Sequence, residues 1–346
     1  MPALTYKEII KKLKSGDALG GVYFFFGEED YTKYDAIKRL KAAASESGFP
    51  EFNTLRLTST EYSFEALSEA IESPPLMSDL KFVEITDADV LGAKVKELDA
   101  TASLLSSVPE DIAVAFVFSS DDINEKVVTA SALYKGIAKA KKANITLVNC
   151  AKATPSEIVN WIYHRLDALS VKADSDTAAF LAKRCGYSMF TLVGEITKLA
   201  AYAEAKGKDT INCDDVKAVV SETVDVGAFE LTNAISERRI SDALAIYAKM
   251  KRLGEDPRLI LGSVTANFSV LCTLQVAKDA GLPYSAAASE YGINEYRAKL
   301  MYKSLQNSSP EYMRRALKLF SNTDRLSKSS DTDLYTQIEL LISSLK

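Results

Sequence analysis

The residues with the clearest potential for chemistry lie in one stretch, Gly27-Glu28-Glu29-Asp30-Tyr31-Thr32-Lys33-Tyr34. It follows an apolar run and opens a helical pattern, which is where a phosphate-binding loop would sit. Laid against GxxxxGK[ST], the stretch keeps Gly27 and Lys33. Thr32 stands where the second glycine belongs, and Tyr34 where the magnesium-binding hydroxyl residue belongs. Glu28, Glu29 and Asp30 occupy the places of the phosphates and would repel them, and without the second glycine the backbone wraps a triphosphate poorly. These carboxylates read as a charged helix start rather than a metal cluster. Nor does the later apolar run Ile112 to Phe118 end in an Asp-Glu pair. It runs into Ser119-Ser120-Asp121-Asp122, which reads as a turn with a helix cap. A working ATPase is therefore not expected, although the scaffold is of the type that often is one.

Other chemistry is thinner still. The single histidine, His164, lies in a helical pattern and reads as a partly exposed structural residue, which removes most Ser-His and Cys-His nucleophilic catalysis. The four cysteines, Cys150, Cys185, Cys213 and Cys272, form no CxxC pair and read as small buried hydrophobes. No cofactor and no metal are expected. The net charge of -5 offers no global attraction to nucleic acid, so a DNA contact would need a local basic face. Arg314, Arg315, Lys318, Arg325 and Lys328 make such a local concentration, with an ordinary solvated helix face as the alternative.

One further stretch stands out, Ser73-Pro74-Pro75-Leu76-Met77-Ser78-Asp79-Leu80. The two prolines end the helical pattern that starts at Ser63, because each biases the residue before it toward extended backbone. Two neighbouring large apolar residues, Leu76 and Met77, then stand between turn formers and the next strand. They form either a plug for the domain's own core or a wedge for a partner's pocket. Local sequence alone favours the plug, since most apolar residues near a strand start are core.

The elements that must position these residues divide the chain into three parts, 1–151, 152–222 and 223–346. At 346 residues the chain is too long for one ordinary core. The first part alternates strand and helix: an amphipathic helix over Met1 to Lys14, then strands near 22–26, 53–57, 82–85, 112–118 and 145–148. Helices are expected over 31–45, from Ser63, up to Leu105, and over Lys126 to Lys142. The run Ile112 to Phe118 is apolar on both faces, as in a central parallel strand. From Thr154-Pro155 the pattern turns helical. A small four-helix region has glycine stops at Gly186 and Gly207. A larger unit follows, with helices over 229–236, 241–251, 257–278, 284–291, 294–306, 310–327 and 332–345. The apolar run Gly21 to Phe26 is too short to span a bilayer and no signal core opens the chain, so a cytoplasmic protein without membrane attachment is expected.

This layout resembles clamp-loader subunits, and the residues resemble the delta subunit family of bacterial DNA polymerase III over essentially the full chain. The pieces that carry the resemblance are Val22 to Glu29, Ser73 to Met77 followed by Leu80 to Ile85, Gly194 to Ala200, Ile211 to Val216, and Asp324 to Lys328. Their order and spacing are more specific than any one of them. The resemblance implies an AAA+-like α/β domain, a small helical domain and a helical collar. It implies a clamp-loader subunit that binds the β sliding clamp and holds it open for loading onto primed DNA. The other clamp-loader subunits, of gamma/tau and delta prime type, would be its partners, with primer-template DNA inside the assembly. Catalysis would belong to the holoenzyme and not to this chain. The family's clamp contact is an apolar pair, commonly Leu-Phe, and Leu76 and Met77 match that place, with methionine as the departure. Arg314, Arg315 and Lys318 would face DNA or a neighbouring subunit. The alternative from another class is a nucleotide-dependent AAA+ ATPase with a divergent phosphate loop; a helical adaptor without clamp contact is a third.

Overall fold

The computed structural model describes residues 3–15, 18–45, 49–92, 97–221, 223–293, 295–305, 308–328 and 333–345. Asn294, Gln306 and Thr332, at the ends of expected helices, lie outside the described residues, as do Met1 and Pro2. The chain divides into two compact units, Met1–Thr154 and Pro155–Lys346.

The first unit is a parallel six-stranded sheet between two layers of helices. Its strands are β1 (Leu4–Thr5), β2 (Gly21–Phe26), β3 (Thr54–Thr58), β4 (Lys81–Thr86), β5 (Ile112–Val117) and β6 (Ile145–Asn149). They lie in the order β1-β6-β2-β5-β4-β3, every pair parallel. All six residues of β2 are buried, because helices cover both faces of an inner strand. Alternate residues divide between two cores. Phe24, Val83, Val114 and Phe116 point to one face, which also buries Leu67 and Ile71 of helix α4. Tyr23, Phe25, Phe82 and Ala115 point to the other, against Ile9 of α1 and Ala36 and Leu40 of α2. The Phe24 and Phe116 rings stack across β2 and β5 with centroids 5.2 Å apart.

The helices of this unit are α1 (Tyr6–Lys14), α2 (Asp30–Ala44), α3 (Pro50–Asn53), α4 (Phe64–Glu72), α5 (Leu98–Leu105), α6 (Glu125–Ala130) and α7 (Ala132–Ala138). Four of them depart from the sequence pattern. Helix α3 is not expected from the pattern, and it holds Asn53, which the pattern places at the start of the second strand. The first helix starts only at Tyr6, because Leu4 and Thr5 pair with Val148 and Asn149 as an edge strand. Thr5 then closes a capping box with Glu8. The single helix expected over Lys126 to Lys142 is two helices. Ser131 breaks it in extended conformation, donating to the Val128 carbonyl at 2.7 Å and capping α7 through the Tyr134 N–H. The cap of α6 is Asn124, not Asp121 or Asp122, which lie in the preceding turn.

The second unit is helical. Its first part holds α8 (Pro155–Asp167), α9 (Ser175–Arg184), α10 (Met189–Ala205) and α11 (Cys213–Val219). A two-stranded parallel ladder, β7 (Lys172–Ala173) with β8 (Thr210–Ile211), ties it together; strands this short leave little trace in sequence. Gly186 and Gly207 take positive φ at the ends of α9 and α10, as their places in the pattern require. His164 is exposed on α8; Cys185 is buried and Cys213 half-buried.

The remaining helices are α12 (Val224–Ser236), α13 (Ile240–Arg252), α14 (Pro257–Asp279), α15 (Tyr284–Glu290), α16 (Glu295–Ser304), α17 (Pro310–Ser327) and α18 (Leu334–Ser343). They share one core, centred on α14 through Ile260, Leu261, Val264, Phe268, Leu271 and Leu274. Among the described residues, α14 is the one helix long and apolar enough to cross a membrane, and these six side chains are buried within the bundle.

Candidate functional site: two loops at opposite edges of one sheet

The first candidate is the loop after β2. In open α/β sheets ligands bind beyond the carboxyl ends of the strands, and this loop lies there. It is closed by its own residues. Lys33, 3% exposed, donates to the carbonyls of Gly27 at 2.8 Å and Phe118 at 2.9 Å, and pairs with Asp30 at 2.8 Å. The lysine that a phosphate loop aims at its ligand is thus spent tying β2 to β5. Backbone groups are spent as well, since the Glu29 N–H donates to the Cys150 carbonyl at 2.9 Å. Gly27 has φ +110°, and a Cβ there would lie 2.5 Å from the Cys150 oxygen, so only glycine lets the two strand ends approach so closely. Thr32 donates to the Glu29 carbonyl, and burial raises the Glu29 carboxyl above its usual range. Burial also pushes the Cys150 thiol up to about 11, which removes it as a nucleophile at neutral pH. Glu29 holds the cap position of α2 without a side-chain cap bond.

The second candidate, the loop from Ser73 to Leu80, lies at the amino edge of the same sheet and enters β4. Its three apolar residues part company. Leu80 is buried against Phe82 and Ile37, and it is the plug of this stretch. Leu76 and Met77 are 43% and 77% exposed. The local expectation of a core plug, made for Leu76 and Met77, therefore fails: both face solvent, and Leu80 is the residue that enters the core.

The backbone below the pair is held from two sides. Register pairs Thr54 with Phe82, so Asn53, the last residue of α3, stands just before β3 as Lys81 opens β4 beside it. Asn53 is fully buried. Its Oδ1 accepts from the Leu76 N–H at 2.7 Å, and its Nδ2 donates to the Leu76 carbonyl at 2.9 Å. Nδ2 also donates to the Phe49 carbonyl at 3.2 Å. Lys81, 6% exposed, donates to the Ser73 carbonyl at 2.9 Å and to Ser73 Oγ at 2.6 Å. Burial lowers the Lys81 pKa, partly offset by Glu69. Ser78 Oγ reaches the carbonyls of Ala44 and Leu80. Met77 has φ +50°, a left-handed conformation that costs an L-residue about 1–2 kcal/mol. Beside the loop, Phe49 and Phe52 of the α3 region are exposed, their rings edge to face with centroids 6.4 Å apart.

Sequence reasoning found Leu76, Met77 and Lys33 but missed Asn53 and Lys81. Asn53 reads as the first residue of a strand, and nothing local marks a contact to a residue 23 positions on. A lysine opening an inner strand, directly before Phe82 and Val83, was the available signal for Lys81.

The basic residues lie in the second unit. Arg314, Arg315 and Lys318 are exposed on α17, with Arg325 further along the same helix and Lys328 at its C-cap. Arg315 donates to the Ser344 carbonyl at 3.2 Å and so also tethers the end of α18, while Lys328 pairs with Asp324. Among the described residues no cluster of three or more His, Cys, Asp or Glu could hold a metal ion.

Comparison with known proteins decides the family. The model for the DNA polymerase III delta subunit matches residues 23–151, and the model for the C-terminal domain of the delta subunit matches residues 226–345. The chain belongs to the DNA polymerase III delta subunit family. The DNA polymerase III subunit delta of Bacillus subtilis (strain 168) is 22% identical over 343 residues, covering 98% of this chain and 96% of that one. The solved structure of the Bacillus subtilis DNA clamp loader delta protein (YqeN) aligns with a TM-score of 0.76 at 19% identity, covering 98% and 99%. The delta-family fold therefore extends over the whole chain, with a six-stranded parallel α/β unit before the helical region. As a delta subunit it is a component of the clamp loader in DNA replication. The loops above give this delta-family chain one closed site and one open one.

Proposed function

We propose that this chain is the clamp-loader subunit that binds the β sliding clamp through Leu76 and Met77, holds one clamp interface open for loading onto primed DNA, and hydrolyses no ATP itself. The observation that carries this reading is the outward-facing apolar pair on a backbone fixed to the end of α3 and the start of β4. Exposed neighbouring apolar side chains are costly to leave in water. Each contributes about 1.5–3 kcal/mol when fully buried in a partner's pocket. Methionine's unbranched thioether fills an aromatic-sized space. A ring that fluctuates between closed and open forms is shifted toward the open one by any partner that binds that form better, with no chemistry in the partner.

The ATPase reading requires a lysine that can reach a phosphate. Lys33 already donates to two strand-end carbonyls and pairs with Asp30, which supports the non-hydrolysing reading. The three-part division 1–151, 152–222 and 223–346 assigns clamp binding to the first part. The last would be a collar that joins the other clamp-loader subunits, of gamma/tau and delta prime type, in the cytoplasm. Arg314, Arg315 and Lys318 would face a neighbouring subunit or primer-template DNA within that assembly.

The test is a clamp-binding titration of the purified chain, with Leu76→Asp/Met77→Asp beside the parent. The pair carries the contact if the substituted, folded chain loses at least about 100-fold in affinity, the loss expected from two buried anchors. Undiminished binding rejects the wedge, and micromolar ATP affinity with turnover rejects the non-hydrolysing role.

A further inference from the structure

We propose that Asn53 is the positioning residue of the clamp contact: its side-chain amide sets the backbone of Leu76 and thereby presents Leu76 and Met77 already in their bound conformation. This rests on the reading of that pair as the contact. Asn53 is fully buried, yet the segment it holds is on the surface. It engages both backbone groups of Leu76, one accepting and one donating, as the edge of a neighbouring strand would. The next residue, Met77, takes the left-handed conformation and is the more exposed of the pair. An unbranched L-residue holds that conformation only where its surroundings impose it. Pro74 and Pro75 restrict the chain on the entry side, and Lys81 fixes Ser73. Asn53 supplies the restraint at the tip itself. The amide also donates to the Phe49 carbonyl, so the loop is fixed to the turn that begins α3.

The consequence is for binding rather than for folding alone. A free loop must be ordered when the partner arrives, and that ordering subtracts from affinity; a loop ordered on folding is spared the loss. The amide accepts through Oδ1 and donates through Nδ2, two separate atoms that meet the two backbone groups of Leu76 at once. Aspartate keeps the acceptor for the Leu76 N–H but sets a carboxylate against two carbonyl oxygens, and alanine offers neither bond.

The experiment uses the full chain and purified sliding clamp. Asn53→Ala is expected to weaken clamp binding about tenfold, the ordering of one to two backbone residues. In a Met77→Ala background, which keeps measurable binding through Leu76, the effect of Asn53→Ala is expected to shrink at least about threefold, because coupled residues are non-additive. A control, Ser63→Ala, removes the cap of α4 without touching the loop and is expected to leave affinity unchanged. Equal losses in both backgrounds, or a comparable loss in the control, assign Asn53 a general structural role and overturn the proposal. So does wild-type affinity in Asn53→Ala. Should that variant not fold, hydrogen exchange on the parent chain decides: a Leu76 amide slowed well below the random-coil rate supports the clasp, and one at that rate overturns it. Failure of the parent reading is separate, since only there does Leu76→Asp/Met77→Asp keep clamp binding.

Discussion

Both edges of the sheet carry a loop held by a buried lysine, and the two lysines do opposite things. At the carboxyl edge, Lys33 reaches across to Gly27 and Phe118 and is taken up by their carbonyls. At the amino edge, Lys81 grips Ser73 at the base of its loop and leaves the tip, Leu76 and Met77, in solvent. One loop is sealed and the other is presented. The same chemistry, an ammonium satisfied by backbone carbonyls, closes a site when it spans two strands and builds a platform when it holds a loop by its stem. At the carboxyl edge of the sheet the loop is locked, and at the amino edge the loop carries an exposed apolar tip.

Three substitutions can break or sharpen that contrast. The largest effect is expected from Lys33→Met. It strands the Gly27 and Phe118 carbonyls in a buried setting and leaves Asp30 without its cation. A loss of about 3 kcal/mol in urea unfolding is expected, with no change in nucleotide binding. A variant that gained ATP affinity would show a phosphate site that is merely occluded, and the contrast between sealed and presented would collapse.

Met77→Gly comes second. Glycine accepts φ +50° at no steric cost but adds backbone entropy to the unfolded chain, so stability is expected to move by less than about 1 kcal/mol. Clamp affinity falls in the same variant. Denaturant midpoints and clamp titrations on one preparation separate the two, and a large stability loss would mean that the tip is part of the core after all.

The smallest effect is expected from Glu29→Gln, and its sign is the informative part. Burial raises the Glu29 pKa in the folded chain, so the fold holds this proton more tightly than the unfolded chain does. The group therefore costs stability as pH rises from the unfolded carboxylate pKa through the raised folded value, and nothing below that window. Glu29→Gln is expected to be more stable than the parent at pH 7 and equal to it below about pH 4, measured by thermal unfolding across that range. A destabilised variant at pH 7 would give the carboxylate a stabilising partner in the sealed loop.

Much of this molecule was legible before folding was considered. The apolar runs of β2 and β5, the prolines that stop α4, and the glycines ending α9 and α10 act within a few residues of themselves, where periodicity and turn chemistry report them. The short pieces were not legible. The edge strand Leu4–Thr5, the β7–β8 ladder and the break at Ser131 each depend on a partner or a cap that a window of residues does not contain. For the site, local reading located Leu76 and Met77 and sent them in the wrong direction; family resemblance sent them outward.

The chain's own order of residues determined that the phosphate loop is broken and that an apolar pair follows a rigid turn, because residue type and spacing are enough for both. It also set the sequence of α/β and helical regions. Folding alone decided what those features do. Lys33 was a retained motif residue until Phe118, 85 positions away, took its proton donors. Leu76 and Met77 were a plug or a wedge until Leu80 took the core and Asn53 took the backbone of Leu76. Side-chain direction and hydrogen-bond partnership are set by which strands lie side by side, and that neighbourhood exists only once the sheet has formed.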